Sequence, residues 1–378
     1  MVVGAGLGGS TVVRELRRLG HSGPITLVGE EHLAPYDRPP LSKQALRGEH
    51  TGPALLEELP SDVELLLGRR AVGVTAGRVL LDDGTDLAYD TLVLSPGAVP
   101  RSLPGAPSPP AGVHALRTWD DAQALRADVL THGELVVVGG GFIGCEVAAS
   151  ARHLGARVTL VELLSGPMVR VLGPTVAGRM RALHEQAGVV LRCGVGVARV
   201  DGDDRVTGLA LTDGSALPAP VVVLGLGVIP ATEWLAGAVA LLPDGAVACD
   251  VRGRTSLERV WALGDAASWA GLRVEHWTSA VEQASTVAQS LLGSEPDHAA
   301  VPYFWSDQYG STLQGLGELD PTTEAEVHEV HAGLVALHAR DDQLLGVVCL
   351  DAKKQVGRAR KLLVAGSGLD DARASLLR

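Results

Sequence analysis

Cysteine is scarce in this chain. Its 378 residues include 4 cysteines, and they stand far apart at Cys145, Cys193, Cys249 and Cys349. No CxxC or CxxxxC occurs, which counts against a metal finger and a short-spaced redox-active disulfide, and no metal site is expected. Long apolar runs are also missing. None approaches the roughly 20 residues of a membrane-spanning helix. No charged-then-apolar leader precedes a cleavage site, so no membrane role and a cytoplasmic location are expected. A basic excess is absent too. The 32 Lys and Arg face 44 Asp and Glu, a net charge of -12, which argues against general nucleic-acid binding. What remains, 46% hydrophobic and 20% charged, is the composition of a globular enzyme. The length predicts roughly two or three domains.

Positive signals begin at the first residues. Met1-Val2-Val3 is an apolar stub followed by Gly4-Ala5-Gly6-Leu7-Gly8-Gly9, whose glycines at 4, 6 and 9 fit GxGxxG. A helical stretch over 11–19 and a strand over 25–28 follow, ending at Glu30. Strand, glycine turn, helix, strand and acid form the dinucleotide-binding unit. The glycines admit a pyrophosphate to the backbone, the helix N-terminus offers it unpaired N–H groups, and the acid accepts from ribose hydroxyls.

One match is weak, but the pattern recurs. A strand over 134–138 leads to Gly139-Gly140-Gly141-Phe142-Ile143-Gly144, a helix over 146–154, and a strand over 157–161 ending at Glu162. Later landmarks repeat as well. Asp83-Gly84, the strand over 91–94 and Gly97-Ala98-Val99-Pro100 match Asp213-Gly214, the strand over 221–224 and Gly227-Val228-Ile229-Pro230. Gly4 and Gly139 are 135 positions apart, and Pro100 and Pro230 are 130 apart. Such a repeat implies two nucleotide-binding domains of one plan.

A third segment separates their ligands. Val260-Trp261-Ala262-Leu263 is a buried strand running into Gly264-Asp265, and a helix follows over 279–292. This segment resembles the second FAD fingerprint of two-dinucleotide flavoproteins, in which Asp265 accepts from a ribityl hydroxyl; the competing reading of Asp265 is a helix cap. FAD then belongs to the first unit and the nicotinamide dinucleotide to the inserted second one. The expected fold is α/β, with two Rossmann-like domains arranged as in glutathione reductase and a smaller α+β C-terminal domain. The expected segments are 1–107 with 235–298 for FAD, 108–234 for NAD, and 299–378 for the C-terminal domain.

Three further motifs name a family: Pro35-Tyr36-Asp37-Arg38-Pro39-Pro40-Leu41-Ser42-Lys43, Val274-Glu275-His276-Trp277, and Pro302-Tyr303-Phe304-Trp305-Ser306-Asp307-Gln308-Tyr309. With the glycine units they resemble the ferredoxin reductase components of bacterial oxygenase and cytochrome P450 systems, over residues 1 to about 317. The resemblance implies FAD and NADH as cofactors and a ferredoxin as protein partner, with the enzyme a monomer or homodimer. It places Lys43 beside the flavin, paired with Glu146 across a domain boundary, and Trp277 at the pyrimidine end of the ring. Lys43, Glu146 and Trp277 are thus the catalytic candidates. Arg117, Val72 and Gly8 are carried over as FAD contacts beside Gly4, Gly6, Gly9, Glu30, Lys43, Asp265 and Trp277. Gly139, Gly141, Gly144, Glu162 and Gly227 are the NAD candidates. Ser42 is expected to cap the helix after it, His276 to be structural, and Cys145 to be a small buried residue.

Three positions depart from the family. Ser95-Pro96-Gly97 stands where it has Ala-Thr-Gly, and Ala231 where an asparagine follows the proline; both are expected to alter the linker between domains. The first strand is short, which implies a shortened start and a weakened edge of the FAD-domain core. Two other readings share the architecture: an NADH oxidase or peroxidase, which carries a redox cysteine near the position of Lys43, and a redox-sensing scaffold like the apoptosis-inducing flavoproteins. No cysteine lies near Lys43, so electrons are expected to leave from the flavin itself, with the C-terminal segment shaping the exit. There, strands over 334–339 and 344–350, a helix over 356–364 and a basic cluster of Lys353, Lys354, Arg358, Arg360 and Lys361 are expected.

Overall fold

The computed structural model describes residues 1–103, 109–295, 301–331 and 333–377. The expected domain boundaries at 107/108 and 298/299 lie outside the described residues. The chain packs as two compact units: Met1–Asp37, Pro53–Val99 and Val228–Ala300 in one, Arg38–Gly52, Pro100–Gly227 and Val301–Arg378 in the other.

Each unit is built on a parallel five-stranded sheet. In the first, the strand order is Val260–Ala262, Leu92–Leu94, Val2–Val3, Thr26–Gly29, Glu64–Leu67. In the second it is Val113–His114, Val222–Leu224, Glu134–Val138, Arg157–Glu162, Val190–Cys193. The strand that feeds the glycine turn is central in both and the acid-ending strand lies beside it, which is the spatial counterpart of the sequence repeat. Central strands of a parallel sheet are covered on both faces and so read as unbroken apolar runs. Val2-Val3, Leu92-Val93-Leu94 and Leu135-Val136-Val137-Val138 are all buried. The short first strand is therefore not at an edge. Val2 and Val3 pair with Leu27 and Val28 on one side and Val93 and Leu94 on the other. The second shared landmark, the Asp-Gly turns, forms antiparallel three-stranded sheets: Ala71–Thr75, Arg78–Leu81 and Asp86–Ala88 in one unit, Val197–Asp201, Gly208–Leu211 and Ala216–Pro218 in the other.

The C-terminal segment forms an antiparallel sheet in the order Tyr303–Gln308, Ser311–Gly317, Gln343–Leu350, Gly333–Arg340, Glu326–Val330, followed by helices Lys353–Val364 and Leu369–Leu376. Successive strand residues face opposite ways, and here both faces are apolar. Leu334, Ala336, Val348 and Leu350 share a core with Val137, Leu160 and Met180 of the second unit. Val335, Leu337, Val347 and Cys349 pack instead with Ala359, Ala372 and Leu376 of the two helices. The segment thus shares a core with the second unit. Arg38–Gly52 joins the same unit, with Leu46 wholly buried in that core.

Candidate functional site

The two glycine turns have the same construction. Gly4 and Gly139 take φ of +109° and +101°, a left-handed conformation that costs other residues strain. An added Cβ on either would strike a backbone carbonyl, that of Ser95 or that of Gly225. The last glycines, Gly9 and Gly144, pack so closely that a Cβ would strike the carbonyls of Gly4 and Gly139. The middle glycines differ: a Cβ on Gly6 or Gly141 would meet nothing within 4 Å. Helices Leu7–Arg18 and Phe142–His153 start at those two residues with no side-chain cap. Each turn therefore combines open space with uncapped N–H groups at a helix N-terminus, the arrangement that receives a pyrophosphate. The residues present fit one dinucleotide in each unit. Gly8 is tighter: a Cβ there would strike the Leu263 side chain. Gly227 lies in a turn with open space around it.

The strand-terminal acids diverge. Glu30 is exposed and has no hydrogen-bond partner among the described residues. Glu162 is engaged: Oε2 accepts from Gly140 N at 2.6 Å and Oε1 from Leu164 N at 2.7 Å. It thus ties its own glycine turn to the loop that follows. A carboxylate has about four lone-pair sites, so acceptor capacity remains for a ribose hydroxyl.

Asp265 lies in the single turn Gly264–Ala266, whose Gly264 N donates to Gln283 Oε1 at 2.7 Å. The cap position before Trp277–Leu291 is His276. Trp277 is 36% exposed, and its Nε1 donates to Asp37 Oδ1 at 2.7 Å. Asp37 lies in the motif over 35–43, and no role for it is expected from the sequence. Burial holds the His276 imidazole below its usual range, with Asp265 opposing, in keeping with a structural residue. Val72 is part-exposed on the strand Ala71–Thr75. Arg117 belongs to the second unit, where its carbonyl accepts from Arg38 Nη1 and its N–H donates to Asp121 Oδ2 at 3.0 Å.

The second unit brings Lys43 and Glu146 together. Both are buried, 5% and 3% exposed, and Lys43 Nζ lies 2.7 Å from Glu146 Oε2. They meet within one compact unit because Arg38–Gly52 packs there. Burying an ion pair is favourable only when its remaining donors and acceptors are satisfied. Lys43 Nζ also donates to Pro39 O at 3.1 Å. Glu146 additionally accepts from Ser42 Oγ and Ser306 Oγ. Ser42 therefore serves Glu146 and not, as expected, the helix Gln44–Arg47, which has no side-chain cap. Lys43 keeps one N–H with no partner among the described residues.

Two departures from the family lie on structural supports. Ser95 Oγ is 2.9 Å from Gly4 O and 3.1 Å from Val3 O, so its hydroxyl secures the first glycine turn. Ala231 donates its N–H to Gly97 O and accepts from Trp234 Nε1, each at 3.0 Å. The cysteines are four free thiols. Burial pushes Cys145 well up, and Cys249 and Cys349 up to about 12. Cys145 is fully buried despite its place at a helix start, and desolvation is the main cause of its raised thiol.

Residues 1–284 match the pyridine nucleotide-disulphide oxidoreductase family. Rhodocoxin reductase of Rhodococcus erythropolis is 37% identical, over 96% of this chain and 88% of that protein. The chain belongs to the ferredoxin reductases of that family. Residues 303–375 match the reductase C-terminal family. The ferredoxin--NAD(+) reductase component of the p-cumate 2,3-dioxygenase system of Pseudomonas putida is 35% identical, over 99% of this chain and 95% of that one. Among solved structures, the covalent putidaredoxin reductase–putidaredoxin complex matches with a TM-score of 0.91 and 32% identity, over 97% of this chain and 92% of that one. The expected α/β fold and the FAD and NADH cofactors stand with this membership. The disulphide in the family's name has no counterpart here, since all four cysteines are free. No described helix is long and apolar enough to cross a membrane.

Proposed function

We propose that this chain is an NADH-dependent reductase that passes electrons through FAD to an iron–sulfur ferredoxin serving an oxygenase or cytochrome P450. It acts in the cytoplasm, where NADH is available, as a monomer or homodimer. The observation that carries this reading is a pair of dinucleotide turns of one geometry in a chain with no disulfide to reduce. Bound FAD supplies one chemistry: it takes two electrons together from NADH and gives them up singly. The protein does the rest. The turn at Gly4, Gly6 and Gly9, with Glu30 and Asp265, holds FAD; that at Gly139, Gly141 and Gly144, with Glu162 and Gly227, holds NADH. Lys43 supplies a fixed positive charge, and its uncommitted N–H is available to the cofactor. Glu146 holds that ammonium in place, and Asp37 holds Trp277. Steady reduction of a ferredoxin by NADH tests the proposal. A folded protein that stays colourless and cannot be loaded with FAD would overturn it.

Two site predictions follow from this geometry. Asp265→Ala removes the ribityl acceptor and leaves the Gly264–Gln283 bond intact. FAD should dissociate about tenfold more readily, the worth of one charge-assisted hydrogen bond. Fluorescence of released flavin measures this, and unchanged retention would return Asp265 to a structural role. The second prediction concerns Glu162. Its carboxylate repels a 2′-phosphate, and Leu163 and Leu164 supply no cation. NADH should be preferred over NADPH. Glu162→Ala should narrow the preference by about tenfold and also weaken NADH binding, because Gly140 and Leu164 lose their acceptor. Equal kcat/KM for both nucleotides in the unmodified protein would refute the assignment.

A further inference from the structure

Glu146 has a buried partner that the dinucleotide turns and the lysine pair do not account for. Lys43 and Ser42 both address its Oε2. Its Oε1 has one donor among the described residues: Ser306 Oγ, at 2.7 Å. Ser306 is fully buried on the strand Tyr303–Gln308, and Gln308, two positions on, is 1% exposed. Strand alternation sets Phe304, Ser306 and Gln308 on one face, the face whose Phe304 enters the core of the second unit. Gln308 Nε2 donates to Ser306 Oγ at 3.0 Å and lies 3.6 Å from Met168 Sδ.

This second bond decides where the serine proton points. A serine hydroxyl has one proton. With the Gln308 amide donating to Ser306 Oγ, that proton is directed to the carboxylate, the stronger acceptor. The opposite amide orientation would draw the proton to Gln308 Oε1 and leave Glu146 Oε1 without a donor where water does not reach. The Gln308 side chain also meets the His184 imidazole, in the sense that favours the protonated ring, so the ring donates and the amide oxygen accepts. The orientation that gives Nε2 to Ser306 therefore turns Oε1 toward His184.

We propose that Ser306, oriented by Gln308, is a positioning residue for the reductase reaction. It anchors the free side of the Glu146 carboxylate and so fixes the direction in which Glu146 holds Lys43. This rests on the reading of Lys43 as the charge that assists flavin reduction. Without the Ser306 hydroxyl, the carboxylate can turn about its terminal torsion, which is broad for glutamate, and Oε2 moves off the lysine.

The test uses the FAD-loaded protein, reduced by NADH in a stopped-flow instrument, with Ser306→Ala, Ser306→Thr, Gln308→Leu and Lys43→Met. Ser306→Ala should lower the limiting rate of reduction about tenfold and leave the apparent Kd for NADH unchanged. Ser306→Thr keeps the hydroxyl and should recover most of the rate. Gln308→Leu, which leaves Ser306 in place but frees its proton, should fall between. A readout independent of turnover is a denaturation cycle of Ser306→Ala with Glu146→Gln. The two midpoint shifts should be non-additive, because the second change removes the charge that the first left unserved. Wild-type reduction rates in Ser306→Ala and Gln308→Leu, with Lys43→Met slow, would overturn this proposal alone. So would additive midpoint shifts with equal losses in rate and NADH affinity, which mark general loosening. An unmodified protein that NADH does not reduce would overturn the functional reading first, and this proposal with it.

Discussion

Replacing Lys43 with methionine should slow flavin reduction by NADH about a hundredfold, the scale of removing one preorganised electrostatic stabiliser. Methionine keeps the length and apolar stem of the side chain and removes the ammonium. The pair is buried and short, so solvent does not screen the charge that is lost. NADH binding should change far less, because the glycine turn and Glu162 that would hold the nucleotide are built without Lys43. Limiting rate and apparent Kd from the same stopped-flow series separate the two effects. A complication has a known sign: the variant leaves the buried Glu146 carboxyl with only hydroxyl donors, which destabilises the fold. Adding Glu146→Gln removes that carboxyl. The double variant should regain stability and not rate. A rate for Lys43→Met equal to that of the unmodified protein would make Lys43 a structural residue.

Reversing charge on the helix Lys353–Val364 should raise the KM for an acidic ferredoxin about tenfold at low salt, and the effect should fade as salt screens it. The chain carries -12 overall, so attraction for an acidic partner must come from a local patch. The structure sorts the expected cluster. Lys354, Arg358 and Lys361 are exposed and recur at helical spacing, which sets them on one stripe. Arg360 is drawn aside over the Tyr303 ring, 5.5 Å from its centre. The variant to make is Arg358→Glu with Lys361→Glu. Arg358 Nη1 also donates to Ser375 O, so a ferricyanide control is needed: reduction of that small acceptor should be unaffected. Equal losses with both acceptors would mean a damaged fold. No loss with ferredoxin would place docking elsewhere, with Arg69, Arg70 or the strand around Trp305 as the next candidates.

Helix starts show where local sequence signals run out. The expected helices over 11–19, 146–154 and 279–292 begin in the structure at Leu7, Phe142 and Trp277. In the first two, the missed turn holds Gly8-Gly9 and Gly144, poor helix formers by propensity. They are there because the Leu263 side chain or a backbone carbonyl occupies the place of a side chain. The helix Trp119–His132 lies outside the expected elements, although Thr118 and Asp121 form a capping box that announces its start.

The sequence by itself determined the repeated nucleotide-binding plan, the two ligand classes and the lack of a short-spaced cysteine pair. Those rest on local patterns: glycine spacing, apolar runs and cysteine spacing are each set by contacts between near neighbours in the chain. It also marked Lys43 and Glu146, through resemblance. Tertiary structure alone decided how that pair is held. Ser42 and Ser306 are separated from Glu146 by 104 and 160 positions, and no local pattern encodes a bond of that range. The strand Tyr303–Gln308 carried the one available signal, polar residues at its buried alternate positions, since a buried hydroxyl and amide must find partners. Packing, too, settled that the C-terminal sheet joins the second unit. Both of its faces are apolar, and only the fold shows that one is covered by its own helices and the other by the core around Val137 and Leu160.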